Sequence, residues 1–195
     1  MVRNIVSQYE LQIVWSVPNV VGHLIDPYTR KIDHTEGFGA FDSILNNYSM
    51  GNRSIDIGGG QHDYNSAYCF YKYLIELSVF DPFMRDEHHN SKVLAAAKER
   101  PFDSCTSISV LNVINLEEAR IEHIKLCKSA IKECGKVFFK VWPGDGSGIG
   151  KTQEDSFQSN RNLESYIKEI ASVFGSKNVK MDRTNEIILA VKNTF

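Results

Sequence analysis

The chain has 195 residues, 42% of them hydrophobic and 24% charged, with a formal net charge of −2. That length builds one domain with a real core and a modest extension, not two comfortable domains. The near-neutral balance excludes a bulk basic field of the kind that holds nucleic acid non-specifically.

Cys69, Cys105, Cys127 and Cys134 show no C-x-x-C spacing, so the pattern predicts reduced, buried thiols and no zinc site. No basic-then-apolar pattern opens the sequence, and no apolar run reaches membrane-spanning length. A cytoplasmic location without membrane attachment is the expectation.

Residues 1–50 read as an N-terminal extension packing on one end of the core. Leu11 to Val21 is apolar but broken by Ser16 and Pro18, and Asp26-Pro27-Tyr28 and Gly37-Phe38-Gly39 mark turns. Phe41, Ile44, Leu45 and Tyr48 fall on one side of a short helix. The body of the domain then runs over 51–195. Ser54 to Ile57 is a β-branched run holding Asp56, followed at once by Gly58, Gly59 and Gly60 and by helical positions from His62 to Leu74. Strand, tight turn and helix in that order present backbone N–H groups and a helix terminus to a ligand. Glycine is required there because a Cβ forbids positive φ and blocks close approach.

Ile75 to Phe80 reads as a second strand ending in Asp81-Pro82-Phe83. Asp81 stands roughly twenty residues past the glycine turn, the spacing at which an acid accepts the ribose hydroxyls of a nucleoside cofactor. Val93 to Lys98 is helical, Pro101 stops it, and Ser104 to Val110 is a central strand. Asn115 with Glu118 predicts a capping box for a helix whose buried stripe is Ile121, Ile124, Cys127 and Ile131, ending at Cys134-Gly135. Val137 to Trp142 is the next strand, and Pro143 to Ser159 a long polar loop expected to be mobile. Leu163, Tyr166, Ile167, Ile170, Ala171 and Phe174 define the clearest helix, closed by Gly175. Asn178–Met181 and Glu186–Lys192 finish the chain as an antiparallel pair. The alternation predicts an α/β fold with a doubly wound, mostly parallel sheet.

This order of motifs resembles the class I S-adenosylmethionine-dependent methyltransferases, which have a Rossmann-like fold. The resemblance rests on Asp56-x-Gly58-x-Gly60, on Asp81, on Phe102-Asp103 through Val110-Leu111, on Gly135 before Val137, and on the terminal hairpin. It implies strand order 3-2-1-4-5-7-6 with S-adenosyl-L-methionine across the first two carboxyl ends. It assigns the cofactor to Asp56, Gly58, Gly59, Gly60 and His62, to Asp81 and Pro82, and to Ser107, Ile108 and Ser109. His62 stands where the family has a third glycine. Only about twenty residues separate Asp81 from Asp103, too few for a helix and a strand with their loops, so the third strand is expected to be short or missing.

Two further stretches bear on the methyl acceptor. Phe138 to Trp142 with Gly144 and Gly146 is similar to the strand carrying a catalytic lysine in ribose 2′-O-methyltransferases, which makes Lys140 and Glu186 candidate catalytic residues and RNA the slightly favoured acceptor. Ser107-Ile108-Ser109 stands where that family keeps an aspartate. Val110 to Ile114 with Glu118-Ala119-Arg120 resembles a segment of methyltransferase-like proteins associated with DNA phosphorothioation. A small-molecule methyltransferase and a catalytically inactive binding or structural protein are the alternatives. Gly146 to Thr152 imitates a phosphate-binding loop, but Asp145 replaces its first glycine and a carboxylate repels phosphate.

Overall fold

The computed structural model describes residues 39–61, 63–153 and 156–193. The apolar stretch Leu11–Val21, the turn at 26–28 and His62 lie outside them. The first described helix, α1 (Gly39–Leu45), precedes β1 (Arg53–Ile57), α2 (Tyr64–Tyr73), β2 (Glu76–Phe80), α3 (Glu87–Glu99) and β3 (Phe102–Ile108). A 3-10 turn at Leu111–Val113 leads to α4 (Glu117–Ala130) and β4 (Ile131–Lys140). Strands β5 (Gly150–Gln153) and β6 (Ser156–Ser159) pair only with each other, and after a second 3-10 turn the chain ends with α5 (Ile167–Phe174), β7 (Val179–Asp182) and β8 (Ile187–Val191).

The main sheet has six strands in the order β2-β1-β3-β4-β8-β7. Strands β2, β1, β3 and β4 are parallel; β8 joins β4 antiparallel, and β7 joins β8 antiparallel, so β8 alone runs against the rest. This is the order the resemblance implies with its third strand removed. Between Phe83 and Pro101 lies α3, capped by Asp86, whose carboxylate accepts from the His89 N–H at 2.8 Å.

Both faces of the sheet are covered, which is why its strands read as apolar runs. Adjacent Phe138 and Phe139 are both fully buried, one against α1 and α2, the other against α4 and α5. On the first face Phe41, Ile44 and Met50 pack with Tyr68, Phe138 and Ile187. On the second, Ala97, Ile124, Cys127, Ile170 and Phe174 pack on Ile55, Ile57, Cys105 and Val137.

Four expectations are corrected. Helix α4 begins at Glu117 with Leu116 as its cap and no side-chain capping bond, so Asn115 and Glu118 form no capping box. Ile131 to Cys134 extends β4: Ile131 pairs with Phe102, and Cys134, at φ 61°, donates its N–H to the Lys192 carbonyl. The apolar period continued past the helix, and sheet pairing overrode it. The stretch 143–159 is not a structureless loop but carries the β5–β6 hairpin. Residues Leu163–Tyr166 form a 3-10 turn ahead of α5.

Candidate functional site

The carboxyl ends of β1 and β3 lie at the sheet's switch point, where open α/β sheets bind ligands. Gly58, at φ 88°, ends β1 and donates its N–H to the Phe80 carbonyl at 2.8 Å, tying the turn to β2. A Cβ at Gly58 would lie 2.4 Å from Val110 Cγ2, so a side chain there would collide with the exit of β3 at a backbone angle that already disfavours it. A Cβ at Gly59 would lie 2.5 Å from Asp56 Oδ2. Gly60 differs: it has φ 77°, and a Cβ there would meet nothing within 4 Å. Its backbone borders open space.

Asp81 faces this turn. Its Oδ2 accepts from the Gly60 N–H at 2.9 Å, and its Oδ1 from the N–H groups of Phe83 and Met84, each at 3.0 Å. A carboxylate offers about four acceptor positions, so three are already engaged. Arg85 closes the brace, donating from Nε to the Gly60 carbonyl at 2.8 Å and pairing with Asp63. Asn90, on α3, brackets the Asp81 backbone from both sides, accepting from its N–H and donating to its carbonyl. Pro82, half-buried, begins the turn that delivers the Phe83 and Met84 donors. Asp81 thus joins β2 to the glycine turn.

Asp56 lies beneath the turn, 2% exposed. Burial pushes its carboxyl up to about 7, opposed by the Thr106 hydroxyl, which donates to Oδ1 at 2.7 Å, and reinforced by the neighbouring charge of Asp81. The buried Ser54 and Ser104 hydroxyls, 2.8 Å apart, continue the same polar stripe between β1 and β3.

At the end of β3 the predicted residues divide. Ser107 is fully buried and turns toward α4, its Oγ 2.8 Å from His123 Nε2, a nitrogen also 3.6 Å from Cys127 Sγ. Ile108 packs with the opposite cluster, against α1 and α2. Ser109 adopts a left-handed φ of 58° and donates its N–H to the Lys140 carbonyl at 3.0 Å, swinging the chain so that Val110 abuts Gly58.

Lys140 and Glu186 sit further along the same end of the sheet. Lys140 Nζ donates to the Asn185 carbonyl and, at 3.3 Å, to Ser43 Oγ, so it clasps α1 to the β7–β8 turn. Burial lowers the pKa of its ammonium, against the raising influence of Glu186 and Asp182. Glu186 is exposed, in the turn before β8, at φ 53°. The phosphate-loop imitation also resolves: a strand follows Ile149 where a helix is needed, and Lys151 is paired with Asp145 at 2.7 Å. Of the predicted residues, Asp56, Gly58–Gly60, Asp81 and Pro82 come together at the glycine turn, while Lys140 and Glu186 lie apart, beside the β7–β8 turn. Arg85, Asn90 and Thr106 bond to this cluster, and sequence patterns did not single them out.

No family model matches the chain, and no curated protein matches it by sequence. Among solved structures it is similar to a sugar N-methyltransferase from Streptoalloteichus, with 10% identity and a TM-score of 0.58, over 92% of this chain and 96% of that one. Human N-acetylserotonin methyltransferase in complex with SAM gives 15% identity and 0.53, over 80% of this chain and 52% of that one. The S-adenosylmethionine-dependent methyltransferase SibL gives 16% and 0.53, over 73% and 51%. The chain thus spans about half the length of the last two. Its fold is the Rossmann-like fold of class I methyltransferases. Among the described residues, no helix is long and apolar enough to cross a membrane.

Proposed function

We propose that the chain is an S-adenosylmethionine-dependent methyltransferase acting on a small molecule. The open cradle at Gly60, held against Asp81, carries this reading. The residues fit the cofactor: a Cβ would fill the space at Gly60, a buried acid stands behind it, and the fold is one in which solved neighbours bind SAM. The cofactor supplies an electrophilic methyl group, so the protein's work is orientation and exclusion of water. Gly58 and Gly59 let the backbone approach closely. Asp81 fixes the turn and keeps one acceptor position for a ribose hydroxyl. Asp56 shapes the floor below the methionine end, and Ser107 to Ser109 set the wall of β3.

A small-molecule acceptor fits better than RNA. The net charge of −2 provides no field for a phosphate backbone. Of the three neighbours described above, two are named for their acceptors, N-acetylserotonin and a sugar. A ribose 2′-hydroxyl reading leans on Lys140 as a base, and that lysine is held in a structural clasp by Asn185 and Ser43.

Calorimetry with S-adenosylhomocysteine tests the site. Asp81→Ala is expected to weaken binding about ten- to a hundredfold, because it removes a charge-assisted hydrogen bond worth roughly 1.5–3 kcal/mol and frees the glycine turn. Gly58→Val is expected to do worse, since its side chain would enter Val110 at a positive φ. Lys151→Ala should bind like the parent, because that ammonium is exposed and paired with Asp145. A parent that binds no S-adenosylhomocysteine would point to the inactive, structural alternative.

A further inference from the structure

Strand β2 is the edge of the main sheet, yet the end that carries Asp81 is not left bare. The Glu76 N–H bonds to the Asn52 carbonyl, and the Phe80 carbonyl accepts from Gly58, so the backbone groups of Glu76, Ser78 and Phe80 face β1. Those of Leu77, Val79 and Asp81 then face outward, because the direction of N–H and C=O alternates along a strand. On a free edge such groups form an unpaired row. A further parallel strand would satisfy them in a fixed pattern. Its residue opposite Phe80 would donate to the Val79 carbonyl and accept from the Asp81 N–H, and the residue two positions on would donate to the Asp81 carbonyl.

Helix α3 supplies all three of these bonds from two side chains. His89 Nε2 is 2.7 Å from the Val79 carbonyl, and a carbonyl can only accept, so Nε2 carries the proton. Asn90 Oδ1 accepts from the Asp81 N–H at 3.1 Å, and Asn90 Nδ2 donates to the Asp81 carbonyl at 2.8 Å. Asn90 uses the same Nδ2 on the Arg85 carbonyl, at 3.1 Å. The Asp86 cap sets the register of this first turn. Its carboxylate accepts from the His89 N–H and its carbonyl from the Asn90 N–H. Asn90 is buried and His89 half-buried, so both bonds to β2 are shielded from competing water.

We propose that His89 and Asn90 stand in for the missing third strand and are positioning residues for the cofactor, acting through Asp81. They hold the end of β2 so that the Asp81 carboxylate keeps its place against the Gly60 N–H and meets the ribose hydroxyls there. Without them Val79 and Asp81 would end a free edge strand, and strand ends with unpaired backbone open first. This rests on the cofactor reading given above.

The test compares S-adenosylhomocysteine with its analogue lacking both ribose hydroxyls, by calorimetry on the full chain. His89→Leu is expected to bind S-adenosylhomocysteine about five- to tenfold more weakly than the parent, the worth of one buried hydrogen bond. It should bind the analogue within about twofold of the parent, since Asp81 then has no hydroxyl to meet. His89→Gln, whose amide nitrogen can donate to the same carbonyl, should recover most of the affinity. A residue that only stabilised the fold would weaken both ligands alike or neither. Asn90→Ala carries the same comparison if the leucine variant does not fold, and Asn90→Asp should not rescue it, because a carboxylate cannot donate to the Asp81 carbonyl. Hydrogen exchange on the ligand-free chain needs no cofactor: the Asp81 amide should exchange faster in Asn90→Ala, while Ile55 in β1 matches the parent. Equal binding of S-adenosylhomocysteine by parent and His89→Leu, or an equal loss for both ligands, overturns the positioning role alone. Unchanged exchange at Asp81 overturns the replacement of the strand. A parent that binds no S-adenosylhomocysteine overturns the cofactor reading and the positioning role together, and the exchange result still decides the edge.

Discussion

Arg120→Ala is expected to destabilise the fold by about 3–5 kcal/mol, because it strands a buried carboxylate. Arg120 and Glu169 are 5% and 7% exposed and meet through two parallel hydrogen bonds, Nε to Oε2 at 2.7 Å and Nη2 to Oε1 at 3.0 Å. The remaining nitrogen, Nη1, donates to the carbonyls of Ile114 and Asn115. One side chain thus holds α4 to α5 and fixes the segment that follows Asn112. Arg161 also reaches Glu169, at 3.2 Å, so the carboxylate keeps one partner and the loss should fall near the lower end. For a chain of this size that corresponds to a melting point lower by roughly 6–20 °C. Lysine cannot restore the forked geometry, so Arg120→Lys should recover little. The double variant Arg120→Leu/Glu169→Leu should recover much of the loss, since an apolar pair leaves no buried charge. A single-variant loss below about 1 kcal/mol in urea unfolding would show that the pair contributes no more than a surface contact.

The same arginine explains part of what the sequence could and could not show. Asn115 and Glu118 have the spacing of a capping box, but Arg120 claims the Asn115 carbonyl from inside the helix, and the helix opens at Glu117 instead. A partner one turn further on, itself fixed by Glu169 from a helix remote in sequence, is invisible to a local pattern. Strand β1, the glycine turn, β2 and Asp81 were legible because their signals are short-range: an apolar run, obligatory glycines and an acid at fixed spacing. The missing third strand was legible from chain length alone. The β5–β6 hairpin was not, since Gly150 to Ser159 is polar and gains its structure from pairing and from Gln158 reaching Trp142 and Asn112. Asp81 was legible as the acid that closes β2, but not as an internal brace, because the Gly60, Phe83 and Met84 donors converge only in three dimensions. Lys140 shows the reverse case. Its strand-end position resembled a catalytic lysine, and the contacts that occupy it come from α1 and the β7–β8 turn, remote in sequence.

Stability should fall as pH rises from about 4 to about 7, and Asp56→Asn should abolish that part of the fall. Burial raises the Asp56 carboxyl from 3.8 to about 7 in the folded chain. Between those values the folded protein keeps the proton and the unfolded chain has lost it. Fewer protons are then bound in the unfolded state, so unfolding becomes easier with each step up in pH and levels off above the folded value. At 1.36 kcal/mol for each pKa unit, the full change is about 4 kcal/mol. Asparagine has nearly the same shape and no charge to bury, and the Thr106 hydroxyl can still donate to its Oδ1. The variant should therefore match the parent near pH 4.5 and exceed it clearly at pH 7.5 in urea unfolding. A difference that stays constant with pH would place the ionisation elsewhere. The glycine turn feels the same proton: Gly59 sits against Asp56 Oδ2, and Asp81 lies across the turn. Two carboxyls share this small volume, and keeping Asp56 neutral removes a repulsion that would otherwise push Asp81 from the Gly60 N–H. S-adenosylhomocysteine affinity of the parent should accordingly weaken above pH 7, while that of Asp56→Asn should stay level.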